Sequence, residues 1–398
     1  MNICAVISEF NPFHNGHEYL ISRLRENGAS HIVTIMTGNF TQRGDVSIVS
    51  KAAKTKMALS GGADLVIELP TNFSLSPAEK FAKAAIFLIK AIGCVSSLGF
   101  GCECDDINKL LDVANKISLN NEAEIKKFLK DGLTFSKARQ KAMESLYGNN
   151  ISNIFLKPNN ILAIEYIRAL NHFDLKLDVY PVKRNNVCHN DDFSIEAFTS
   201  SSFIRKALIR DDDVSLYMPK SSYNILLDEI KYYKAPAFTK NGEKSILTLL
   251  RTLSIDDLLN IQDFSEGLEN RVYKAIKKAK DIDELYYLIK TKRYTLARIR
   301  RLVFSSFLGL NKSLQNTLPP YIRILGFNKK GMEILKEMKK TAELPIITRH
   351  SDVFKSQNDS ILKFFNIESK ASDLYSFFTP RNLECGQESI SFPIVLNK

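Results

Sequence analysis

The chain has 398 residues, 44% of them hydrophobic and 25% charged, which is material for sizeable cores and for two domains or a little more. No apolar run reaches membrane-spanning length, and residues 3–7 are too short an apolar stretch, met too soon by Glu9 and His14, for a secretory signal, so a cytoplasmic protein with no membrane partner is expected. The net charge of +11 points to a polyanionic partner, most simply nucleic acid, although a lysine-rich proteome would give the same sign.

Residues 3–7 read as a buried strand, Asn11-Pro12 as a turn, and a helical pattern begins at Glu18. A second buried strand spans 31–38. A helix over 50–60, capped by Ser50, leads to a third strand over 63–70. An alanine-rich helix over 77–92 and a fourth strand over 95–100, closed by Gly101, follow. Cys102-Glu-Cys104 has the wrong spacing for a zinc knuckle and no second pair answers it, so the six cysteines read as reduced thiols. Residues 105–147 read as two or three helices, and Asn159 or Asn160 as the cap of another. A fifth strand over 177–182 precedes Lys183-Arg184, a polar loop from 185 to 192, and a helix starting at Ser200-Ser-Ser-Phe-Ile-Arg205. Strands and helices alternating at this spacing predict an α/β domain with a Rossmann-like parallel sheet, whose ligands bind beyond the carboxyl ends of the strands. His14, Gly38, residues 64–68 and Gly101 are placed near that rim.

Beyond about 212, helical periodicity and dense charge replace the strand signals. The expected organisation is a nucleotide-binding domain over 1–212 and a mostly helical, basic region over 213–398. That region ends with a small strand–helix–strand unit near 321–348. From 271 to 301 there are eleven basic and three acidic residues, a local charge of 11 − 3 = +8, interleaved with Tyr273, Tyr286, Tyr287 and Tyr294. Such a stretch fits phosphate-backbone contact with some stacking, and Lys277, Lys278, Lys292, Arg293, Arg298, Arg300 and Arg301 are its RNA-binding candidates.

The chemistry concentrates at the first turn. His14-Asn-Gly-His17 sits where a strand ends and a helix begins, a position that favours anions through free N–H groups and the helix dipole. Gly16 has no Cβ, which lets a ligand approach the backbone. Two imidazoles with no third ligand nearby make a metal site the poorer reading, and solvated histidines are the plain alternative. The arrangement of strand, Asn-Pro turn, His-x-Gly-His and helix resembles the nucleotidyltransferase and class I aminoacyl-tRNA synthetase superfamily, in which paired histidines bind ATP phosphates. Their charge and hydrogen bonds would then stabilise the transition state at the α-phosphorus. Ser200 to Ser202 with Arg205 read as a second phosphate clamp, or as an ordinary serine cap with a surface arginine.

More of the chain carries a closer likeness. Glu9-Phe-Asn-Pro-Phe-His-Asn-Gly-His17, Thr37-Gly-Asn-Phe-Thr-Gln-Arg-Gly44, Ser50-Lys51 with Lys56-Met-Ala-Leu59, and Ala63-Asp-Leu-Val-Ile-Glu-Leu-Pro70 resemble the bacterial tRNA(Met) cytidine acetate ligases. So do Pro158-Asn-Asn160, Thr291-Lys-Arg-Tyr-Thr295 with Ala297-Arg-Ile-Arg-Arg301, and Leu344-Pro-Ile-Ile-Thr348. The resemblance implies ATP-dependent activation of acetate to acetyl-adenylate, then transfer to N4 of the wobble cytidine of elongator tRNA(Met). It implies ATP contacts from Ile7, Ser8, Glu9, Phe10, Asn11, Pro12, Phe13, His14, Asn15, Gly16, His17, Glu18, Tyr19 and Leu20, and from Gly101, one of Asn159 and Asn160, and Arg184. Lys54 stands where the family pattern leads one to expect arginine, and the 200–205 stretch lacks the fuller Ile-Ser-Thr pattern of many nucleotidyltransferases. Acetate needs no strong base, so His14, His17, Lys51 and Arg205 are expected to act by positioning and charge neutralisation. Asp64 and Glu68 are candidates to hold the Mg²⁺ that accompanies ATP, or to be structural caps. A dinucleotide-forming adenylyltransferase acting on nicotinamide mononucleotide or phosphopantetheine, and an RNA-binding protein with a relict nucleotide site, are the alternatives.

Overall fold

A run of residues apolar on both faces leaves a strand no exposed side, and β1 (Ile3–Ser8) is accordingly central and buried in the sheet of this computed structural model. The structure describes residues 1–104, 106–119, 121–184, 198–264, 267–314 and 316–397; the polar loop expected from 185 to 192 lies outside them. β1, β2 (His31–Thr37), β3 (Leu65–Leu69), β4 (Ser97–Cys102) and β5 (Asp178–Lys183) pair in parallel in the order β5-β4-β1-β2-β3. The direction of winding reverses between β1 and β4, which opens a crevice beyond their carboxyl ends.

The connecting helices cover both faces. In Ala78–Ile92, Phe81, Ala82, Ala85, Ile86, Ile89 and Ile92 recur at helical spacing and are buried against one face of the sheet, together with Pro158–His172. Truncating a core side chain such as Ile86 to alanine would cost about 2–5 kcal/mol. Asn15–Glu26 and Lys51–Ser60 cover the opposite face. The cap of Pro158–His172 is Lys157, not either asparagine, because Pro158 is suited to the first helical position and sets the start earlier than the asparagines would.

The carboxyl-terminal strands join the same sheet. β6 (Ile322–Asn328) pairs antiparallel with β3, and both β7 (Ile346–Ile347) and β8 (Ile394–Leu396) pair in parallel with β6. The strand–helix–strand unit expected near 321–348 is therefore present, with its helix at Lys329–Thr341, but it extends the sheet across the boundary drawn at 212. Only the intervening helices, with Ile246, Leu250, Leu285, Leu302 and Phe304 at their centre, build a separate core. Phe40, Val46 and Leu75 of the first half and Phe378 of the last are buried in that core as well. Among the described residues no helix is long and apolar enough to cross a membrane.

Candidate active site

The crevice at the β1/β4 reversal is a cavity of about 200 Å³. Ile7 to Asn11, His14, Gly16, His17, Tyr19 and Leu20 line it from the first turn, Gly101 and Arg184 from the neighbouring strand ends, and Asn159 from the start of the Pro158–His172 helix. Pro12 and Phe13 are buried outside it, the Asn15 side-chain amide donates to the Leu216 carbonyl, and Glu18 faces solvent. Phe10 holds φ at +45°, a conformation that a bulky residue keeps only when its surroundings fix it. It packs 5.0 Å from the Phe13 ring and 4.9 Å from the His17 ring.

His14 caps the Asn15–Glu26 helix: its Nδ1 accepts from the Gly16 N–H at 3.0 Å, while the His14 N–H donates to His17 Nδ1 at 3.2 Å. The two rings stack with centroids 3.9 Å apart. A Cβ on residue 16 would lie 2.8 Å from His14 Cε1, so Gly16 first of all makes room for the imidazole itself. Burial, helped by the positive charges of Arg184 and Arg205, lowers the His14 pKa to about 3. Burial, then His14 and Arg184, holds His17 well below its usual value. Both rings are therefore neutral at pH 7. With each Nδ1 accepting, each proton resides on Nε2, which makes the pair two neutral donors. As placed here, the pair offers hydrogen bonds rather than charge.

The charge comes from elsewhere. Arg43, Lys183, Arg184 and Arg205 line the cavity, against the carboxylate of Glu9, the one carboxylate among its described lining residues. The Arg205 guanidinium donates to the Asn11 carbonyl at 2.8 Å, which fixes it beside the histidine turn. Glu9 is taken up in part by the Gln42 N–H at 2.7 Å. Ser200 caps the Ser201–Ile209 helix through the Phe203 N–H, and Ser200, Ser201 and Ser202 all line the cavity, so the serine cap and the pocket wall are one feature. Arg43 and Lys183 were not among the sequence candidates; the available signal was a basic residue in the polar loop after β2 and one at the end of β5.

Several candidates fall outside. Asn160 is buried and its Oδ1 accepts from the N–H groups of Glu103 and Cys104, which leaves Asn159 as the cavity residue of the pair. Lys51 is buried away from the cavity, in ion pairs with Glu68 (2.7 Å) and Glu388. Burial alone would depress its pKa, but Glu388 and Glu68 raise it, so it is a locked cation. Asp64 precedes β3 at the amino edge of the sheet, where it accepts from the Ile32 N–H and pairs with Arg25 at 2.6 Å. Neither Asp64 nor Glu68 is placed to meet a nucleotide in the cavity. Among the described residues no group of three or more His, Cys, Asp or Glu could hold a metal.

Lys54 is fully buried and is not among the residues lining the cavity. Its Nζ reaches the carbonyls of Glu9 (3.0 Å), Thr37 (2.8 Å) and Gly38 (2.7 Å), and Ser47 Oγ at 3.0 Å. The basic stretch is likewise mixed. Lys277, Lys278, Lys292 and Arg293 are exposed, Arg300 lies over the Tyr286 ring, and Arg301 is buried with only 8% of its surface exposed. Tyr286 and Tyr294 belong to the helical core and Tyr273 is half-buried against it, so the expected row of stacking tyrosines reduces to Tyr287, which is 80% exposed.

A doubly wound sheet with neutral paired histidines and a ring of cations at its topological reversal defines a nucleotidyltransferase of the His-x-Gly-His type. The family model described as HIGH Nucleotidyl Transferase matches residues 1–389. A tRNA(Met) cytidine acetate ligase of Acetivibrio thermocellus is 36% identical over 98% of this chain and 98% of its own. One of Clostridium kluyveri is 37% identical over 100% of both. The crystal structures of Thermotoga maritima TmcAL superpose with TM-scores of 0.93 for the apo form and 0.92 for the form bound with α-thio ATP, at 32% identity and over 100% of both chains. The chain belongs to the tRNA(Met) cytidine acetate ligase family of HIGH nucleotidyl transferases.

Proposed function

We propose that this protein is an ATP-dependent carbon–nitrogen ligase that activates acetate and acetylates N4 of the wobble cytidine, C34, of elongator tRNA(Met). The carrying observation is the neutral, stacked His14–His17 pair set among Arg43, Lys183, Arg184 and Arg205. In the first step a carboxylate oxygen of acetate bonds to the α-phosphorus and the bond to pyrophosphate breaks. Negative charge grows on the phosphate oxygens. The two Nε2–H groups donate to them, and the cations offset the charge of the departing pyrophosphate. Acetate is already a nucleophile, so no base is required. In the second step cytidine N4 attacks the acetyl carbon, AMP leaves with the electron pair of the broken carbon–oxygen bond, and N4 sheds one proton. Glu9, the one carboxylate lining the cavity among the described residues, is partly committed to Gln42, so magnesium would enter with the triphosphate and be held by phosphate oxygens and water. Adenylation is assigned to residues before 212, and RNA contact is drawn largely from residues beyond it.

Mass spectrometry of nucleosides from elongator tRNA(Met), incubated with protein, ATP and acetate, tests this. N4-acetylcytidine should form only when both ATP and acetate are present. A dinucleotide formed from nicotinamide mononucleotide or phosphopantetheine, with no acetyl-adenylate trapped, would replace the reading with its adenylyltransferase rival.

A further inference from the structure

Behind the histidine cavity lies a second, larger cleft of about 800 Å³. The two share their walls. The Ala78–Ile92 helix presents Phe81 to the first and Lys80 and Lys83 to the second. Pro158–His172 presents Asn159 and Tyr166 to the first and Ile161 and Glu165 to the second. Arg301 lines the second cleft, and its guanidinium donates to the carbonyl of Gln42, a residue lining the first.

The second cleft is built for a polyanion. Lys80, Lys83, Arg139, Arg293, Arg298 and Arg301 line it, against the carboxylates of Glu79, Glu165 and Asp263. Glu165 is already held by Arg139 and Arg168, each at 2.7 Å. Three helices begin at its wall: Ala78–Ile92, Phe135–Tyr147 and Leu296–Leu308. The latter two carry no acidic residue in their first turns, so their N-terminal dipoles are not offset there. The Nε atoms of Arg139 and Arg301 are buried without a hydrogen-bond partner, in side chains that are themselves about nine-tenths buried (9% and 8% exposed). Both residues nonetheless line the cleft, so it is their charge, rather than these enclosed donors, that a phosphate there would meet. Phe135, 54% exposed at the head of its helix, offers a flat apolar face beside these charges.

We propose that this cleft is the track for the RNA strand that carries the acceptor base to the histidine cavity. Its phosphates lie toward the helix N-termini and cations, and one unpaired base stacks on Phe135. This rests on the tRNA reading above and adds Lys80, Lys83, Arg139 and Phe135 to the RNA surface. Alternating cations and an exposed aromatic favour a single-stranded loop over a duplex, because a stacking platform needs a base that is free of its partner.

The test compares binding of transcribed elongator tRNA(Met) to the full-length parent, K80E/R293E, F135A and the control K330E/K340E, after thermal melting confirms the fold. Lys330 lies at the amino edge of the sheet beside Asp64, and Lys340 is an exposed residue of the same helix. K80E/R293E should bind at least about tenfold more weakly, with the slope of log affinity against log salt shallower by about 0.7 for each phosphate left without its cation. F135A should lose about tenfold with an unchanged slope, since stacking releases no counterions. It also keeps the test open should the charge reversals disturb folding. Parent-like affinity and slope in the cleft variants would overturn the proposal, and so would an equal loss in the control pair, which would mean that net charge alone matters. Acetylation by the parent decides the ligase reading separately, because the binding comparison does not depend on catalysis.

Discussion

The guanidinium of Arg301 donates to the Gln42 carbonyl at 3.2 Å and so ties the Leu296–Leu308 helix to the loop that brings Arg43 into the histidine cavity. The contact is reinforced by shape. Gly44, at φ +71°, approaches the same helix so closely that a Cβ would lie 2.4 Å from the Arg301 backbone nitrogen. The sequence placed Arg301 in an RNA-binding surface separable from the nucleotide site. The structure makes it a brace between the two.

Arg301→Met should accordingly impair both steps. Leaving the Gln42 carbonyl unpaired should cost about 1–3 kcal/mol of stability, and the freed Arg43 loop should raise the KM for ATP. Lys292→Glu, at an exposed position of the same basic stretch, should affect tRNA transfer alone. Urea unfolding and acetate-dependent ATP–pyrophosphate exchange read the two effects. An Arg301→Met protein with parental exchange but poor tRNA transfer would mean that Arg301 serves the RNA cleft alone and does not brace the Arg43 loop.

The histidine pair gives two expectations. His17→Ala removes a donor to the developing charge and should slow exchange by about 10²–10³-fold; near-normal exchange would sink the assignment. The pH dependence follows from the depressed pKa values. The His14 pKa is lowered to about 3, whereas an unfolded histidine titrates near 6.5, so protons favour the unfolded chain. The contribution of His14 to stability is therefore full above about pH 6.5 and is lost as pH falls toward 3. Nitrogen NMR of labelled histidine should show both rings as Nε2–H tautomers that do not titrate between about pH 5.5 and 8. A titration of either near 6.5 would contradict the neutral pair.

Lys51 was expected to be catalytic, and its surroundings predict a different phenotype. It stands between Glu68 and Glu388, with Glu368 close enough that burial and Glu68 push the Glu368 pKa to about 8. Removing the cation leaves buried carboxylates uncompensated, so Lys51→Ala should destabilise the fold by about 3–5 kcal/mol. Exchange activity should track the folded fraction rather than fall independently. Lys51→Ala/Glu388→Gln should regain part of the stability, since it removes one of the orphaned charges. Full stability combined with lost exchange in Lys51→Ala would restore a catalytic role.

What the sequence made legible was local. The β1 run, the Asn-Pro turn and the Ser200 cap each depend on neighbours within a few residues, and the structure has all three; the first helix was legible too, although it starts at Asn15 with His14 as its cap rather than at Glu18. The remainder depended on partners distant in the chain. Lys51 finds Glu388 in a four-residue helix near the end of the chain, and β6 finds β3 across the whole helical region. No periodicity announces such pairings. Composition could count the cations of 271–301 but could not separate exposed Lys278 from buried Arg301. Arg43 looked like any loop arginine until the fold turned the loop inward.

The last expectation concerns Lys54, which stands where arginine was anticipated. Its Nζ donates among the carbonyls of Glu9, Thr37 and Gly38 and the hydroxyls of Thr37 and Ser47. It thereby joins the end of β2 to the start of the histidine turn. Burial pulls its pKa down to about 7, against the partial opposition of Glu9 and Glu68. An unfolded lysine holds its proton to about pH 10.4, so between the two values the unfolded chain binds the extra proton and stability rises with pH. Below about 7 both states are protonated and the cost of burying the charge is present in full. Lys54→Met removes this titration and strands the carbonyls, at about 1–3 kcal/mol for each that finds no other partner. The loosened Glu9 end should also raise the KM for ATP. Unfolding free energies of parent and Lys54→Met should therefore diverge as pH rises from about 7 to 10, by up to about 1.4 kcal/mol per pH unit in favour of the parent. Parallel profiles would mean that Lys54 stays charged in its cage, and that the brace is an ammonium rather than an amine.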